Sequence, residues 1–508
     1  MRILTAQQHQ ELDQATLEQD GISSLELMER AATAWAKRFT ELFADKSREV
    51  VVVCGPGNNG GDGLAIARLL RFEAYTISVV AADIAPASPD HQDNRRRAKD
   101  VGVHIRTLRE GDALPSFRKR SIVIDALFGT GLSRSIEGYW AWLVEHLNEQ
   151  PVTRVAVDLP SGLRTDEPST GAIVRADRTL SLGYPKLALF APANTEYLGH
   201  WELVPFRLAD PPAPADGASP PPRMLTPRPV AALLKARRAN DHKGTFGHAL
   251  LVAGGFGKMG AAVLSARSVL RAGAGLLTVH IPRVGYEILQ MSIPEAMCSI
   301  DQHRYMVSAL QEDVTQYDTV GVGPGLGTKP ATQQAVFQLL EQFPRPLVID
   351  ADALNILAGT PEKLATLPAG SLLTPHPKEF ERLFGATDDD FQRWQLQLAK
   401  ARELNAVIVL KTGYTAVATP DGELFFNTTG NPGMGTGGTG DALTGILTGL
   451  LAQGYPPADA ARLGVYLHGL AGDLAARDVG QESLLAEDLI HHLGPAFKKL
   501  HRLAERHQ

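Results

Sequence analysis

The first 43 residues alternate polar positions with apolar ones at roughly helical spacing. Apolar residues recur at Leu12, Ala15 and Leu17, and again from Leu25 to Trp35. A period near 3.6 residues predicts amphipathic helix over residues 7–43, with an interruption at Gly21, which lies between the two apolar series.

After this helical start, short continuous apolar runs alternate with helix-like stretches. Runs of this kind are typical of strands that are buried on both faces of a parallel sheet. They predict a Rossmann-like three-layer α/β domain with strands at Val50–Cys54, Ile77–Ala81, Ile122–Leu127, Val155–Leu159 and Thr179–Leu182.

The second half repeats this alternation with a different ending. Predicted strands are His248–Ala253, Leu276–Ile281, Thr319–Val322, Leu347–Asp350, Ser371–Thr374 and Val407–Lys411. A hairpin is expected next, because Thr415–Thr419 and Glu423–Phe426 flank a Pro-Asp-Gly turn in which glycine tolerates positive φ. The apolar stretch Ala442–Leu451 predicts a buried helix.

Between the halves, residues 209–222 are rich in proline and have no hydrophobic period. Such a segment favours extended structure and marks a domain boundary. A chain of 508 residues is long enough for two domains. We therefore predict domains at 1–208 and 223–508 joined by the 209–222 linker.

Composition excludes several classes of function. The net charge of -6 provides no basic field for nucleic acid, and the 44% hydrophobic content is that of a globular protein. No signal-peptide pattern or membrane-length apolar run is present. The two cysteines are too few for a disulfide framework. We expect a cytoplasmic protein that binds small molecules, with neither membrane nor nucleic-acid partners.

The glycine-rich run from Gly433 to Asp441 is the strongest chemical signal in the second half. Its five glycines precede the helix predicted at Ala442. Glycines let successive N–H groups point into one concavity, and a helix N-terminus attracts anions, so the run predicts a phosphate site. Asp441 either caps the helix or accepts a proton from an attacking hydroxyl. No Walker A lysine follows the run.

Four motifs occur in the order seen in the ADP-dependent NAD(P)H-hydrate dehydratases. They are Gly323–Gly327, Asp350–Asn355, Leu373–Phe380 and Gly433–Asp441. The second half thus resembles that family, which implies a ribokinase-like three-layer α/β domain. The resemblance implies ADP bound by Lys411, Thr412, Gly413, Tyr414, Thr415 and Gly440, and hydrated dinucleotide bound by Ala261, Gly325, His376 and Asp441.

Four residues singled out in this half, His376, Asp350, Asp352 and Lys411, also have simpler structural explanations. His376 lies between two prolines after a strand and is either structural or a substrate contact. Asp350 and Asp352 are either a pair that holds Mg²⁺, which we expect in this half, or Asp352 is a helix N-cap. Lys411 is either a nucleotide contact or a solvated lysine at a strand end.

A second glycine-rich turn, Gly55–Gly63, follows the first predicted strand of the chain. The layout of strand, turn and helix is that of a dinucleotide site, although these glycines could serve only a tight turn. Asp125 and Asp158 end two later strands and should converge at the same crevice. Carboxylates beside amide and hydroxyl oxygens suit a hard cation or acid–base chemistry.

Three motifs follow in order: Asn-Asn-Gly-Gly-Asp-Gly at 58–63, Asp-x-x-x-Gly-Thr-Gly at 125–131 and Asp-x-Pro-Ser-Gly at 158–162. In this order they resemble the NAD(P)H-hydrate epimerase family across nearly all of residues 1–208. The resemblance implies a potassium ion near Asn59, Asp125 and Ser161. It also implies substrate contacts from Asn58, Asn59, Gly60, Gly61, Asp62, Gly129, Thr130, Gly131, Leu132, Ser133, Arg134, Ser135 and Asp158.

Asp158 is our candidate for proton transfer, with a structural role as its alternative, and Lys186 is either a phosphate contact or a surface lysine. Together the resemblances imply an enzyme that epimerises the R and S forms of hydrated NADH and NADPH (NADHX and NADPHX). It would dehydrate the S form with ADP, releasing AMP and phosphate. The alternative is a small-alcohol kinase fused to a non-catalytic nucleotide-binding module. We also expect a homo-oligomer.

Overall fold

In a computed structural model of the protein, residues 1–211, 213 and 219–505 are described. They divide into two compact units, the first formed by residues up to 213 with Asp389–Phe391 and the second by the remainder. Six positions of the predicted proline-rich linker, 212 and 214–218, lie outside the described residues.

The first unit contains one seven-stranded sheet in which every neighbouring pair is parallel. Its strand order is β3-β2-β1-β4-β5-β6-β7, a Rossmann-like order that places β1 and β4 at its centre. The strands are β1 Val50–Cys54, β2 Ile77–Ala82, β3 His104–Leu108, β4 Ile122–Ala126, β5 Thr153–Val157, β6 Arg178–Leu182 and β7 His200–Val204.

All five strands predicted for this half are confirmed, whereas the edge strands β3 and β7 were not predicted. Edge strands are half exposed, and β3 alternates polar with partly buried residues instead of forming a continuous apolar run. Both edge strands were therefore missed, because the prediction relied on continuous apolar runs, which are typical of strands buried on both faces.

The predicted helical start is also confirmed as two helices separated at Gly21, which ends the first one with a φ of +61°. Thr5 and Ser23 begin these helices with reciprocal capping boxes. The helices of this part of the chain are α1 Ala6–Asp20, α2 Ser24–Leu42, α3 Asn58–Phe72, α4 Pro89–Asp100, α5 Gly138–Glu149 and α6 Thr195–Leu198.

The second unit is built on a ten-stranded sheet of order β11-β10-β9-β12-β13-β14-β15-β16-β17-β8. Its pairs are parallel from β11 to β15, and the predicted hairpin adds β16 and β17 antiparallel. The short strands β8 and β11 were not predicted. The bounds are β8 Arg223–Met224, β9 His248–Val252, β10 Leu276–Ile281, β11 Met297–Ile300, β12 Thr319–Val322, β13 Leu347–Ile349, β14 Leu372–Leu373, β15 Val407–Leu410, β16 Ala416–Ala418 and β17 Leu424–Phe426.

The helix predicted over 442–451 is confirmed as a longer, almost fully buried helix, α14. It crosses α8 closely, because β-carbons on Gly445 and Gly449 would collide with the α8 carbonyls of Ser265 and Val269. The helices are α7 Pro227–Ala231, α8 Met259–Arg271, α9 Tyr286–Ser292, α10 Pro330–Gln342, α11 Ala351–Ala358, α12 Pro377–Phe384, α13 Asp390–Glu403, α14 Thr439–Ala452, α15 Pro457–Val479, α16 Ala486–His491 and α17 Leu493–Glu505.

Both halves therefore have the predicted α/β class, with helices on largely parallel sheets. In the parts of the chain that the structure describes, no helix combines the length and apolar character needed to cross a membrane.

Candidate active sites

Asp158 follows the carboxyl end of β5 with a φ of +69°, a left-handed conformation that is costly for a residue with a side chain. Its Oδ1 accepts hydrogen bonds from the Leu182 backbone N–H at 2.9 Å and from the Ser181 hydroxyl at 3.2 Å. Strain of this kind persists only where the surrounding structure fixes the residue, and here β6 supplies those bonds.

Lys186 forms a buried ion pair with Asp158. The lysine side chain is only 1% exposed, and its Nζ also donates to the Leu182 carbonyl at 2.7 Å. Burial disfavours the charged form of Asp158, but Lys186 outweighs it and lowers the pKa of that carboxyl. The expectation of a surface lysine is wrong, because the Lys186 side chain is buried and its ammonium is paired with Asp158. The expectation of a phosphate contact stays a prediction, since Lys186 lines the cavity described next.

A cavity of about 680 Å³ opens beside this ion pair. Helices α1 and α2 form one wall, and the turn after β1, the loop after β4 and the ends of β5 and β6 form the others. Of the residues predicted from sequence, those that line it are Asn58, Asn59, Asp62, Gly129, Thr130, Gly131, Leu132, Ser133, Arg134 and Asp158.

Three other predicted contacts, Gly60, Gly61 and Ser135, are not among the residues that line the cavity. A β-carbon on Gly60 would collide with the Gly55 carbonyl, and one on Gly61 would approach the sulfur of Met28. These two glycines therefore let the first turn of α3 pack closely against residue 55 and against α2. The Ser135 hydroxyl lies 2.7 Å from that of Thr170.

Sequence reasoning missed two side chains of α1 in this cavity, His9 and Asp13. Burial and the charge of Lys186 lower the pKa of His9 to about 3, so its ring is neutral. Loss of hydration within the cavity wall and the charge of Asp158 raise the pKa of Asp13 to about 6, although the residue is still exposed to solvent on one side. Both residues lie in α1, which contains no glycine-rich motif, so nothing in the local sequence indicates that they line a ligand cavity.

Asp125 and Ser161, two of the three predicted potassium ligands, are in direct contact. The Asp125 carboxylate accepts from the Ser161 hydroxyl at 2.6 Å and from its N–H at 2.8 Å. Burial outweighs these hydrogen bonds and raises the pKa of Asp125 to about 6. The Asn59 side chain packs against Gly129, and its buried amide nitrogen has no hydrogen-bond partner.

In the second unit, Asp441 is the third residue of α14, whose N-cap is Gly438 in a left-handed conformation. The capping alternative for Asp441 is therefore wrong. Burial and the charge of Asp350 raise the pKa of Asp441 to about 6, and Lys411 opposes that rise. Asp441 thus lies at the end of the glycine-rich run, close to both opposite and like charges.

Asp350 and Lys411 form the charged floor of this site. Lys411 Nζ donates to one oxygen of Asp350 at 2.7 Å, and the Thr444 hydroxyl donates to the other at 2.7 Å. Burial resists ionisation, but Lys411 and these hydrogen bonds lower the pKa of Asp350. The expectation of a solvated Lys411 is wrong, since this lysine is paired and a methyl group on Gly440 would lie 3.7 Å from its Nζ.

Asp350 and Asp352 do not form a pair of free carboxylates. Asp350 is the N-cap residue of α11, so the expectation that Asp352 is the cap is wrong. Asp352 instead accepts from the Gly327 N–H at 2.7 Å and lies 3.4 Å from Lys258 Nζ. It ties the Gly323–Gly327 loop to α11. Among the described residues no group of three His, Cys, Asp or Glu side chains could hold a metal.

His376 is the N-cap of α12, so its structural alternative is confirmed. Its Nδ1 accepts from the N–H groups of Lys378 and Glu379 at 3.1 and 3.2 Å. The His376 backbone N–H in turn donates a hydrogen bond to the Glu379 carboxylate at 2.9 Å. Because Nδ1 is an acceptor, the neutral ring carries its proton on Nε2, and nearly half of the side chain stays exposed for a ligand.

Ala261 and Gly325 lie side by side, because a β-carbon on Gly325 would be 3.2 Å from that of Ala261. Gly325 has a φ of +67° and its carbonyl lies close to Gly255. Small residues therefore pack closely where the Gly323–Gly327 loop meets the start of α8, with Gly255 buried and Ala261 and Gly325 partly exposed. The Thr412 hydroxyl of the segment 411–415 donates to the Tyr414 carbonyl at 2.7 Å.

Two different family models match the two halves of the chain. The family model described as NAD(P)H-hydrate dehydratase matches residues 249–494, and the one described as YjeF-related protein N-terminus matches residues 24–188. A crystal structure of ADP/ATP-dependent NAD(P)H-hydrate dehydratase from Bacillus subtilis, co-crystallised with ATP and Mg²⁺, shares 33% identity. It covers 55% of this chain and 98% of that one, with a TM-score of 0.48.

Relatives similar over nearly the whole chain include the bifunctional NAD(P)H-hydrate repair enzyme Nnr of Moorella thermoacetica, which is 36% identical over 99% of this chain and 98% of its own length. The enzyme of the same name from Escherichia coli K12 is 33% identical over 93% of this chain and 89% of its own length. The match runs through both halves and both candidate sites. The chain belongs to the family of bifunctional NAD(P)H-hydrate repair enzymes.

Proposed function

We propose that this chain repairs hydrated NADH and NADPH in two steps. Residues 1–208 would interconvert the R and S epimers, and residues 223–508 would dehydrate the S epimer with ADP, yielding AMP and phosphate. The observation that carries the proposal is the position of Asp441, a carboxyl with a pKa of about 6 on the first turn of α14 beside Lys411.

Asp441 would act as the base of dehydration. A carboxyl that titrates near neutral pH can take a proton and release it again within one turnover. Asp441 would remove the proton of the substrate hydroxyl while that oxygen bonds to the terminal phosphorus of ADP and AMP departs. Phosphate then leaves with the former hydroxyl oxygen, and loss of a ring proton restores the double bond.

The nucleotide would lie over Lys411 and the start of α14. The N–H groups of the first turn, the helix dipole and the Lys411 charge all favour phosphate oxygens. We propose ADP contacts from Lys411, Thr412, Gly413, Tyr414, Thr415 and Gly440. The hydrated ring would contact Ala261, Gly325, His376 and Asp441.

Magnesium does not fit as an ion held by Asp350 and Asp352. Both Asp350 oxygens are engaged by Lys411 and Thr444, and Asp352 is engaged by Gly327. Mg²⁺ commonly binds through nucleotide phosphates with few protein ligands. We propose that any Mg²⁺ enters with the nucleotide, and no proton-transfer step depends on it.

Epimerisation would occur in the cavity beside Asp158. Its volume of about 680 Å³ is within the range of small-molecule sites. Because Lys186 keeps Asp158 ionised, this carboxylate is suited to remove a proton from the hydroxyl of the hydrated carbon. Asn58 to Asp62 and Gly129 to Ser135 would surround the rest of the dinucleotide.

The residues Asn59, Asp125 and Ser161 fit a potassium ion. Their side chains offer a carboxylate, a hydroxyl and an amide, and rotation of the unpartnered Asn59 amide would present its oxygen. Hard cations prefer such oxygens. When bound, the ion would neutralise Asp125 and stiffen the loop after β4.

The decisive assay uses the full chain and the separated epimers. With ADP and the S epimer, we expect phosphate release and recovery of NADH absorbance at equal rates. With the R epimer, recovery should follow only after epimer exchange. A stable phosphorylated product without NADH would instead identify a small-alcohol kinase and refute the dehydratase.

We also propose a cytoplasmic homo-oligomer. Cys54 and Cys298 are both free thiols, as a reducing compartment allows. Light scattering of the purified chain would give its mass, and a monomeric mass would contradict the oligomer.

A further inference from the structure

Helix α1 contributes a wall of the first cavity although the matched family model begins only at residue 24. His9 and Asp13 are four residues apart and therefore share one face of the helix. The His9 Nε2 is buried without a hydrogen-bond partner, which is costly unless a ligand supplies one. This face of α1 thus has features of a site that accepts a polar ligand.

The chemistry of the substrate requires two proton-transfer groups. Hydration of a dihydropyridine places the hydroxyl on the carbon bonded to the ring nitrogen, because the enamine is protonated at its other carbon. Such a hemiaminal opens when one group removes the hydroxyl proton and another protonates the nitrogen. Reclosure on the other face of the resulting carbonyl inverts the carbon.

We propose that Asp13 is the proton donor to the ring nitrogen in this opening, with Asp158 as the base on the hydroxyl. The inference rests on the proposed epimerase function. Asp13 projects from α1, and Asp158 projects from the end of β5, so the two carboxyls approach the cavity from different walls.

The proposed step balances without a co-reactant. Asp158 takes the hydroxyl proton, the carbon–oxygen bond becomes a carbonyl, and the carbon–nitrogen bond breaks with its electron pair on nitrogen. That nitrogen takes the proton of Asp13. After rotation of the aldehyde, nitrogen attacks its other face, Asp13 regains its proton and Asp158 returns the other one.

The charges around Asp13 suit a donor that recovers its proton. The titratable and charged groups that line the same cavity are His9, Asp62, Asp90, Arg134, Asp158 and Lys186. Loss of hydration and the charge of Asp158 raise the pKa of Asp13 to about 6. The protonated carboxyl that donates and the carboxylate that accepts are therefore both accessible near neutral pH. Burial and three neighbouring carboxylates raise the pKa of Asp62 well above its usual value, so the variant Asp62→Asn is included in the tests below.

The first test compares epimer exchange in Asp13→Asn and in the wild-type chain. We expect kcat to fall at least about 100-fold with KM changed less than about threefold, and Asp13→Glu to recover part of the rate. Glu11→Gln, an exposed carboxylate on the same helix that does not line the cavity, is the matched control and should keep the wild-type rate. Thermal melts would show whether each variant is folded.

An Asp13→Asn rate within threefold of wild type would overturn the assignment, and so would the same 100-fold loss in Glu11→Gln. Loss of exchange in Asp62→Asn with Asp13→Asn unaffected would assign the donor to Asp62 instead. If the wild-type chain does not exchange epimers at all, the proposed epimerase function fails, which is a different result.

The second test follows the oxygen atom in water enriched in oxygen-18. Ring opening keeps the original oxygen as the aldehyde, so label should enter the hydroxyl more slowly than the epimers interconvert. Loss and re-addition of water would incorporate one labelled oxygen at every inversion. Equal rates of labelling and inversion would therefore overturn the proposal.

Discussion

Lys186 holds Asp158 through a buried ion pair, and the same Asp158 has a left-handed backbone conformation. The lysine, the strained aspartate and the neighbouring strand β6 therefore form one interdependent unit. Removal of one partner leaves the other charge buried and unpaired, and this destabilises a protein more than replacement of both partners does.

Lys186→Met should destabilise the first unit by about 3 to 5 kcal/mol, because it leaves Asp158 buried and unpaired. Denaturant unfolding measures this change. The double variant Lys186→Met with Asp158→Asn should lose much less, since no buried charge remains. Lys99→Met removes an exposed lysine of α4 and should change stability by no more than about 0.5 kcal/mol. If the double variant loses as much stability as the two single variants added together, Lys186 and Asp158 are not energetically coupled.

Asp441→Asn should lower kcat for dehydration by about 10² to 10⁴-fold, because an amide cannot accept the hydroxyl proton. KM for ADP should change little. Steady-state phosphate release measures both constants. Asp421→Asn, in the exposed hairpin turn, is the control and should behave as wild type. A variant Asp441→Asn that retains wild-type kcat would exclude the base role.

The pH dependence of dehydration should report the same carboxyl. As a base, Asp441 works in its ionised form, and its pKa is about 6. The rate constant kcat should rise tenfold per pH unit below pH 6 and level off above it. A profile that is flat from pH 5 to pH 8 would contradict this assignment.

Asp441→Asn should also stabilise the second unit at pH 8, by roughly 1 to 3 kcal/mol. The pKa of Asp441 is higher in the folded protein than its ordinary value, so the folded chain binds this proton more tightly. Stability is therefore lost as the pH rises from the ordinary Asp pKa to about 6, the loss is constant at higher pH, and asparagine avoids it because it carries no charge. The gain should vanish below the ordinary Asp pKa, and denaturant melts at pH 8 and pH 4 would measure it. An equal gain at both pH values would contradict the electrostatic origin.

Gly440→Ala should raise KM for ADP at least tenfold without loss of stability. The structure has room for a methyl group at this second residue of α14, and alanine favours helix more than glycine does. The methyl group would, however, occupy the space proposed for phosphate. Gly494→Ala, at the second residue of α17 and equally unobstructed, is the matched control and should leave KM unchanged. Unchanged ADP kinetics in Gly440→Ala would remove this glycine from the proposed nucleotide site.

Sequence patterns alone predict the layers of the fold and the motifs at both candidate sites. Interior strands such as β1 and β4 are buried on both faces and appear as continuous apolar runs, and glycine-rich turns need residues without side chains. The half-exposed edges β3 and β7 lack such runs and were missed. Local pattern therefore sufficed wherever burial or backbone geometry was the constraint.

Only the tertiary structure decided which charges meet. Lys186 and Asp158 are 28 residues apart, and Lys411 and Asp350 are 61 apart, yet each pair is in contact. His9 and Asp13 reach the first cavity from a helix that carries no motif. A charged residue has the same local pattern whether it is solvated or paired, and its pKa depends on neighbours brought near by the folded chain. The charge state of the candidate catalytic groups is thus a property of the assembled sheet and helices.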